Sequence, residues 1–211
     1  MRWTFGVEPL PESLEVAERM RVVAGLVLSL DASHPAVERL VAALREAEAA
    51  LRPLAPADPT PRIGADAPAD RRVYVDHARD VGAFNPCFPV YRIEVDGDRA
   101  SGTVRFPIVY EGPPGLVHGG FLALLFDAVV QHHNCDLGQA GKTTSLALRY
   151  RKPTPLETDL AFDVERAVTE GRIRSTARLL RDGVVLCEAE VNAIAGDRSA
   201  LPEVSPRRRG A

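Results

Sequence analysis

Cysteine is scarce in this sequence. Its 211 residues include three cysteines, Cys87, Cys135 and Cys187, an odd number of residues spaced far apart. This pattern excludes a disulfide framework and offers none of the spacings typical of metal ligands. We therefore expect reduced thiols, no metal site and no bound cofactor.

Long apolar runs are also lacking. Residues 22–30 are an apolar run of nine residues, whereas a helix needs about 20 to span a bilayer. The first 20 residues contain acids and prolines and lack the basic start and apolar centre of a secretion signal. We expect a cytoplasmic protein without membrane insertion.

Neither sign of charge dominates the chain. The net charge is −3 at pH 7, which gives no reason to expect a nucleic-acid partner. A run of three arginines at 207–209 lies in a tail with proline and glycine on either side, where a solvated end is expected. With 45% hydrophobic and 26% charged residues, the composition is that of a globular protein.

Two helices are predicted within residues 1–52, an N-terminal helical extension. Residues 12–30 follow Pro11 and carry apolar residues at helical intervals. The second helix, about 35–52, has an apolar stripe and Ser33 as the expected N-cap. Such a stripe usually packs onto a core, and partner binding is the alternative.

The remaining segments differ in character. Residues 53–84 open with five prolines in 53–68 and are predicted to be a linker. Residues 85–195 form the main domain, and 196–211 form an irregular tail. Strand signals are found at 90–95, 99–106, 143–151, 159–166, 172–181 and 184–194.

One apolar helix interrupts these strands. Residues 119–133, GGFLALLFDAVVQHH, are apolar on nearly every side, which indicates a helix buried all round. His132 and His133, at its far end, are expected to be helix-end cations. An antiparallel sheet wrapped around this helix, an α+β fold, accounts for the order of elements.

The glycine-rich loop before the helix is the first candidate site. Glycine lets a ligand approach the backbone closely, and the first amides of a helix lack partners and carry the positive end of its dipole. Gly119 and Gly120 therefore present donors that could hold a carbonyl oxygen as it gains negative charge. The alternative is a glycine pair needed only for tight helix–sheet packing.

Asp127 is the second candidate because it lies in LLFDAVV, a strongly apolar stretch. A buried carboxylate is costly and needs either a purpose, as a base or nucleophile, or a structural hydrogen bond to a strand. Eight residues of helix separate it from Gly119, a rise of about 12 Å. One carbonyl cannot contact both groups, so a shared reaction would require two copies of the helix related by a two-fold axis.

The sequence His118-Gly119-Gly120 followed by Asp127 resembles the hotdog-fold thioesterase superfamily, above all its phenylacetate-pathway (PaaI-like) acyl-CoA thioesterases. Residues 143–153 are similar to that family's strand after the helix. The resemblance covers about 85–195. It implies a hotdog fold, a homodimer or dimer of dimers, and hydrolysis of an acyl-CoA to free acid and coenzyme A, which enters only as part of the substrate.

The resemblance also implies roles for residues. Gly119 is the oxyanion donor, and Asp127 of the other subunit is the general base or nucleophile. Thr143 lies near the carboxylate and is preferred to Thr144 because it lies seven residues before Tyr150, as in the family. Strand alternation places the adjacent Thr144 on the opposite face. His118 is expected to shape the loop or to hydrogen-bond the substrate carbonyl.

Coenzyme A needs polar and cationic partners. The candidates are Thr144, Ser145, Arg149, Arg151 and Lys152, and the alternative is an ordinary solvated strand face. Two other functions stay open, a hotdog module that binds acyl-CoA without turnover and a hotdog dehydratase or hydratase.

Overall fold

The computed structural model describes residues 11–54, 81–137 and 141–195. Most of the predicted linker 53–84 lies outside these ranges, as does the whole tail 196–211 with its three arginines. The predicted division into domains therefore stays a prediction.

Six antiparallel strands form one sheet in the order β1-β2-β4-β5-β6-β3. The strands are β1 Tyr91–Asp96, β2 Arg99–Val104, β3 Gly141–Tyr150, β4 Leu160–Thr169, β5 Arg172–Arg181 and β6 Val184–Ala195. Gly97, Gly171 and Gly183 adopt positive φ at the three hairpin turns, a conformation that glycine adopts without strain. The predicted antiparallel sheet is confirmed, and β3 lies at one of its edges.

Helix α4, Gly119–Asp136, packs against the inner face of this sheet and supplies much of the core. Ten of its 18 residues are buried, and Leu125, Phe126 and Val129 are 0% exposed. Buried and exposed residues alternate along β4 and β5, as expected of strands with one solvated face. The predicted helix inside a wrapped sheet is confirmed.

Helix α1, Pro11–Leu28, packs against this domain and is hydrogen-bonded to it. Ala17 is 1% exposed. Arg21 donates from Nη1 to the carbonyls of Gly82 and Asn85 at 3.0 and 3.2 Å, in and just after the short helix α3, Val81–Phe84. The predicted N-terminal helical extension is thus confirmed, and α1 is its attached part.

Helix α2, Pro35–Leu51, is different. None of its 17 residues, all of them described, is buried. The expectation that its apolar stripe packs onto the core of the same chain is therefore wrong. The predicted cap is also corrected. His34 rather than Ser33 is the N-cap, because its Nδ1 accepts the N–H of Ala36 at 3.1 Å.

No helix in the described ranges is both long enough and apolar enough to cross a membrane.

Candidate functional site

The loop before α4 is held by its own backbone. The N–H of His118 donates to the carbonyl of Tyr110 at 2.9 Å, and that of Val117 donates to the carbonyl of Thr154 at 2.9 Å. A Cβ at Gly112 would lie 2.8 Å from the Cα of His118, so the loop folds back this tightly only with glycine there. The loop therefore fixes His118 at the start of the helix.

His118 is the N-cap of α4. Its Nδ1 accepts the N–H of Gly120 at 3.0 Å, which places the proton of the neutral ring on Nε2. The N–H of Phe121 donates to the His118 carbonyl at 2.9 Å. Among the described residues the N–H of Gly119 has no acceptor. Gly119 thus offers the available amide, while Gly120 is engaged in the cap.

Tyr150, at the end of β3, covers Gly119. Its hydroxyl donates to the Gly119 carbonyl at 3.1 Å. A Cβ on Gly119 would lie 3.0 Å from the tyrosine oxygen and 3.1 Å from Cζ, so a side chain at 119 would press against the ring. From the sequence, Tyr150 entered only through its distance of seven residues from Thr143, and its contact with Gly119 was not predicted. The sequence signal that could have indicated Tyr150 is an aromatic residue at the end of a predicted strand.

Asp127 lies on one accessible stripe of α4. Gly120, Ala123, Leu124, Asp127 and Gln131 recur at helical spacing, and each is exposed or half-buried, whereas their neighbours on the other side face the sheet. The prediction of burial all round is therefore corrected in one respect. A single face of the helix remains open, and the carboxylate lies in it.

The carboxylate has a defined partner. Thr143 donates from Oγ1 to Asp127 Oδ1 at 2.7 Å, and Gln131 donates from Nε2 to the same Thr143 oxygen at 2.9 Å. A hydroxyl has one proton, so the bond from Gln131 directs that proton toward Asp127. Gln131 is a further residue of the site that was not predicted from the sequence. The signal for it is its position four residues after Asp127 on the same helix face.

A β-bulge decides where Thr143 points. Along β6, Thr143 pairs with Ala193 and Ser145 pairs with Asn192, so Thr144 is an extra residue. Ala193 is buried on the inner face, and Thr143 therefore points to α4 while Ser145 points away. Without the bulge these two residues, two positions apart, would share a face. The preference for Thr143 agrees with the contact, but simple alternation does not explain it.

The predicted coenzyme A hydroxyls lie at this bulge. Thr144 donates from Oγ1 to the carbonyl of Asn192 at 3.0 Å. Ser145 accepts from Asn192 Nδ2 at 3.0 Å on the outer face of the sheet. Both hydroxyls have partners within the sheet, and their predicted role in substrate binding stays a prediction.

The predicted cations divide into two kinds. Arg151 forms an ion pair with Glu188 at 2.7 Å. Arg149 and Lys152 have no ion-pair partner in the part of the chain that the structure describes. They are the two members of the set whose charge is available to a phosphate.

The far end of α4 is buried. His133 is 0% exposed and donates from Nε2 to the carbonyl of Gly97 at 2.8 Å. Burial lowers the pKa of His133, and the nearby Arg166 lowers it further. The expectation of a cationic helix end is therefore wrong for His133, which is a neutral structural residue.

Other chemistries have little support in the described ranges. No three His, Cys, Asp or Glu side chains gather there as metal ligands. None of the three cysteines, all of which lie in the described ranges, forms a disulfide. Burial raises the pKa of Cys187 to about 11, so this residue is a thiol near neutral pH and a poor nucleophile.

Two groups thus lie along α4, one at its first residue and one near its middle. The amide end consists of His118, Gly119 and Tyr150, and the carboxylate end consists of Asp127, Thr143 and Gln131. The helix rise between Gly119 and Asp127 is about 12 Å, as the sequence predicts, because both residues lie in the one continuous helix Gly119–Asp136.

A crystal structure of a thioesterase superfamily protein is similar to most of this chain. The two are 29% identical, over 92% of this chain and 96% of that one, with a TM-score of 0.71. This chain has the hotdog fold. The resemblance to the thioesterase superfamily is confirmed. The aligned share exceeds what residues 85–211 could supply, so the likeness includes part of the N-terminal region.

Shorter similarities are found as well. A hypothetical thioesterase of Streptococcus pneumoniae TIGR4, crystallised with coenzyme A, is 20% identical over 49% of this chain and 86% of its own, with a TM-score of 0.47. The Escherichia coli PaaI protein of the phenylacetic acid degradation operon is 13% identical over 49% and 82%, also with a TM-score of 0.47. No protein-family model matches the chain.

Proposed function

We propose that this protein is a homodimeric acyl-CoA thioesterase whose active sites each combine the amide end of one protomer with the carboxylate end of the other. The observation that carries the proposal is the pair of available groups on α4. The N–H of Gly119 has no acceptor among the described residues, and the carboxylate of Asp127 lies in the accessible stripe, held by one oxygen.

The edge strand β3 supports the two-fold arrangement. It is ten residues long, and most of its side chains are exposed. An exposed edge of this length is a ready template for another strand. A second β3 pairing antiparallel about the middle of the strand would bring Tyr150 of one protomer near Thr143 of the partner subunit.

This pairing would join the two ends. Tyr150 contacts Gly119, and Thr143 contacts Asp127. The amide end of one protomer would then face the carboxylate end of the other. The gap of about 12 Å along one helix is closed by the second helix.

In the proposed reaction, the thioester carbonyl oxygen accepts the N–H of Gly119. Asp127 of the partner subunit takes a proton from water as the water oxygen bonds to the carbonyl carbon. The negative charge that forms on the carbonyl oxygen is held by the amide and by the positive end of the helix dipole. The C–S bond then breaks, the sulfur receives the proton from Asp127, and the free acid and coenzyme A leave.

The contacts of Asp127 suit this role. Thr143 holds Oδ1, and no hydrogen bond among the described residues uses Oδ2, which leaves that oxygen for the water. Direct attack by Oδ2 on the thioester is the second route and would give an acyl anhydride at Asp127. Rapid quenching followed by mass spectrometry of the protein distinguishes them, because the anhydride adds the acyl mass to the chain.

Cations near the β3 edge support an acyl-CoA as the substrate. Arg149 and Lys152, on and just after the end of β3, are available to the phosphates of coenzyme A. Replacing both by glutamine should raise KM for an acyl-CoA. KM for the matching acyl-pantetheine, which lacks the nucleotide phosphates, should not change.

Steady-state hydrolysis of a panel of acyl-CoAs tests the carboxylate. Asp127→Asn should lower kcat by about 100-fold or more, since general-base catalysis typically contributes 10²–10⁴. Asp159→Asn is the matched control, because its side chain is 84% exposed on the protein surface. Equal rates for wild type and Asp127→Asn would eliminate the assignment. Turnover of enoyl-CoA, or tight binding without turnover, would favour the two other functions.

The amide has an equally sharp test. Gly119→Pro deletes the N–H and adds a ring next to Tyr150. The backbone accepts the change, since proline is favoured at the first helical position and His118 already has the extended backbone, φ −65° and ψ 132°, that a residue before proline prefers. We expect kcat to fall by about 10²-fold. Gly119→Ala meets the same tyrosine ring but keeps the N–H, so it is the control.

Mixing two inactive variants tests the shared site. In a heterodimer of Gly119→Pro and Asp127→Asn, one site carries both changes and the other is intact. Random exchange of subunits should therefore restore about a quarter of the wild-type rate. No recovery despite proven exchange, or a fully active monomer, would refute the two-chain site.

A further inference from the structure

Tyr150 belongs to the amide end and contacts Gly119, but the proposed reaction gives its side chain no catalytic role. We propose that Tyr150 is a positioning residue that holds the backbone at Gly119, through its carbonyl, so that the N–H of Gly119 keeps the orientation required for oxyanion binding. This inference rests on the proposed function and deepens it. The hydroxyl of Tyr150 lies 3.1 Å from the Gly119 carbonyl oxygen. The ring also packs closely on Gly119, because a Cβ added there would lie 3.0 Å from the tyrosine oxygen and 3.1 Å from Cζ. These contacts carry the inference.

The start of α4 needs such support because it contains two adjacent glycines. Glycine has the largest backbone freedom of any residue, and helix ends fray. An oxyanion donor, in contrast, has to be placed to within about 0.5 Å. The bond from Gly120 to His118 fixes the second amide, and the bond from Tyr150 fixes the carbonyl of the first residue. Both bonds act on the peptide that follows the Gly119 Cα, and the N–H of Phe121 holds the His118 carbonyl of the peptide that precedes it. The peptides on the two sides of Gly119 are thus both held.

The position of Tyr150 on β3 makes it dependent on the sheet. It pairs with Cys187, which is 0% exposed on the inner face of β6, and so it points toward α4 like Thr143. One strand therefore orients both ends of the proposed site, Gly119 through Tyr150 and Asp127 through Thr143.

The ring contributes little to the core, because Tyr150 is 59% exposed. Loss of its hydroxyl leaves no buried group without a partner, so Tyr150→Phe should fold normally. A purely structural role would then give wild-type kinetics. A positioning role predicts a kcat lowered about 10-fold at every pH, with KM for the same acyl-CoA unchanged. If the hydroxyl instead donated a proton in the reaction, the shape of the pH profile would change.

Tyr91→Phe is the matched control. Its hydroxyl bonds to Nδ1 of His132 at 3.1 Å, inside the core and toward the other end of α4. This variant should lower the melting temperature and leave kcat unchanged. A wild-type kcat for Tyr150→Phe would overturn the inference, and so would an altered pH profile.

A double variant tests whether Tyr150 acts through the amide. In the Gly119→Pro background the donor is already gone, so Tyr150→Phe should have no further effect on kcat. A further loss that multiplies with the first would show an independent role and overturn the inference. A Gly119→Pro variant with wild-type kcat would instead refute the proposed oxyanion donor. Failure of the proposed function is thereby distinguished from failure of this inference alone.

Discussion

Helices α4 and α2 have nearly the same length and opposite surroundings. Ten of 18 residues are buried in α4 and none of 17 in α2. The first is hydrogen-bonded to β3 at Gly119, Asp127 and Gln131. Side chains of the second, such as Leu44 and Leu51, are in contrast 52% and 62% exposed. A helix that is apolar on most sides has to be buried, but an apolar stripe specifies only that one face seeks cover.

Helix α1 lies between these extremes. Ala17 is buried, and Arg21 bonds to the backbone around α3, yet Leu26 and Leu28 are 64% and 61% exposed. Attachment to the domain thus decreases from α4 through α1 to α2. Substitutions that measure this gradient are given below from the largest expected effect to the smallest.

Leu125→Ala in α4 should have the largest effect. The side chain is 0% exposed, and its truncation leaves a cavity in the core, which costs about 3 kcal/mol of unfolding free energy. Urea denaturation followed by circular dichroism measures the change. A loss below about 1 kcal/mol would mean that α4 is not the centre of the core.

Arg21→Ala in α1 should have an intermediate effect of about 1 kcal/mol, because two backbone carbonyls lose a partly buried donor. Arg19→Ala is the control, since its side chain is 62% exposed and, among the described residues, pairs with Glu18 alone. Limited proteolysis should release α1 faster in the Arg21 variant alone. Equal behaviour of the two variants would remove Arg21 as the anchor of α1.

His133 provides a comparison that depends on pH. Burial lowers its pKa in the folded protein, so the unfolded chain binds a proton first as the pH falls. Stability is fully present above the unfolded value of about 6.5 and decreases below it, down to the folded pKa. His133→Gln should reduce this loss between pH 7.5 and 5.5. Equal slopes of stability against pH for the variant and the wild type would contradict the assignment.

Leu44→Ser in α2 should have the smallest effect on a single chain, within about 0.5 kcal/mol, because an exposed side chain loses little on replacement. Denaturation at several protein concentrations measures it. A loss above about 1 kcal/mol would show that α2 is covered in the assembled protein, and the contrast with α4 would then disappear.

Local patterns in the sequence determined most of the fold and part of the site. The apolar stretch 119–133 has no stable place except inside a sheet, and glycine turns at 97, 171 and 183 set the hairpins. The separation of eight positions between Gly119 and Asp127 fixes their spacing on one helix, which is why the sequence alone already leads to the hypothesis of a site shared by two chains.

Tertiary structure decided which groups are available and where they point. The bulge at Thr144 depends on the register of β3 against β6, and this pairing of distant segments turns Thr143 toward Asp127. Likewise, Gln131 orients the Thr143 hydroxyl, and Tyr150 reaches Gly119. Periodicity in a sequence reports which face of an element is apolar. It contains no information on strand register or on contacts between residues far apart in the chain, because both arise only when the elements pack.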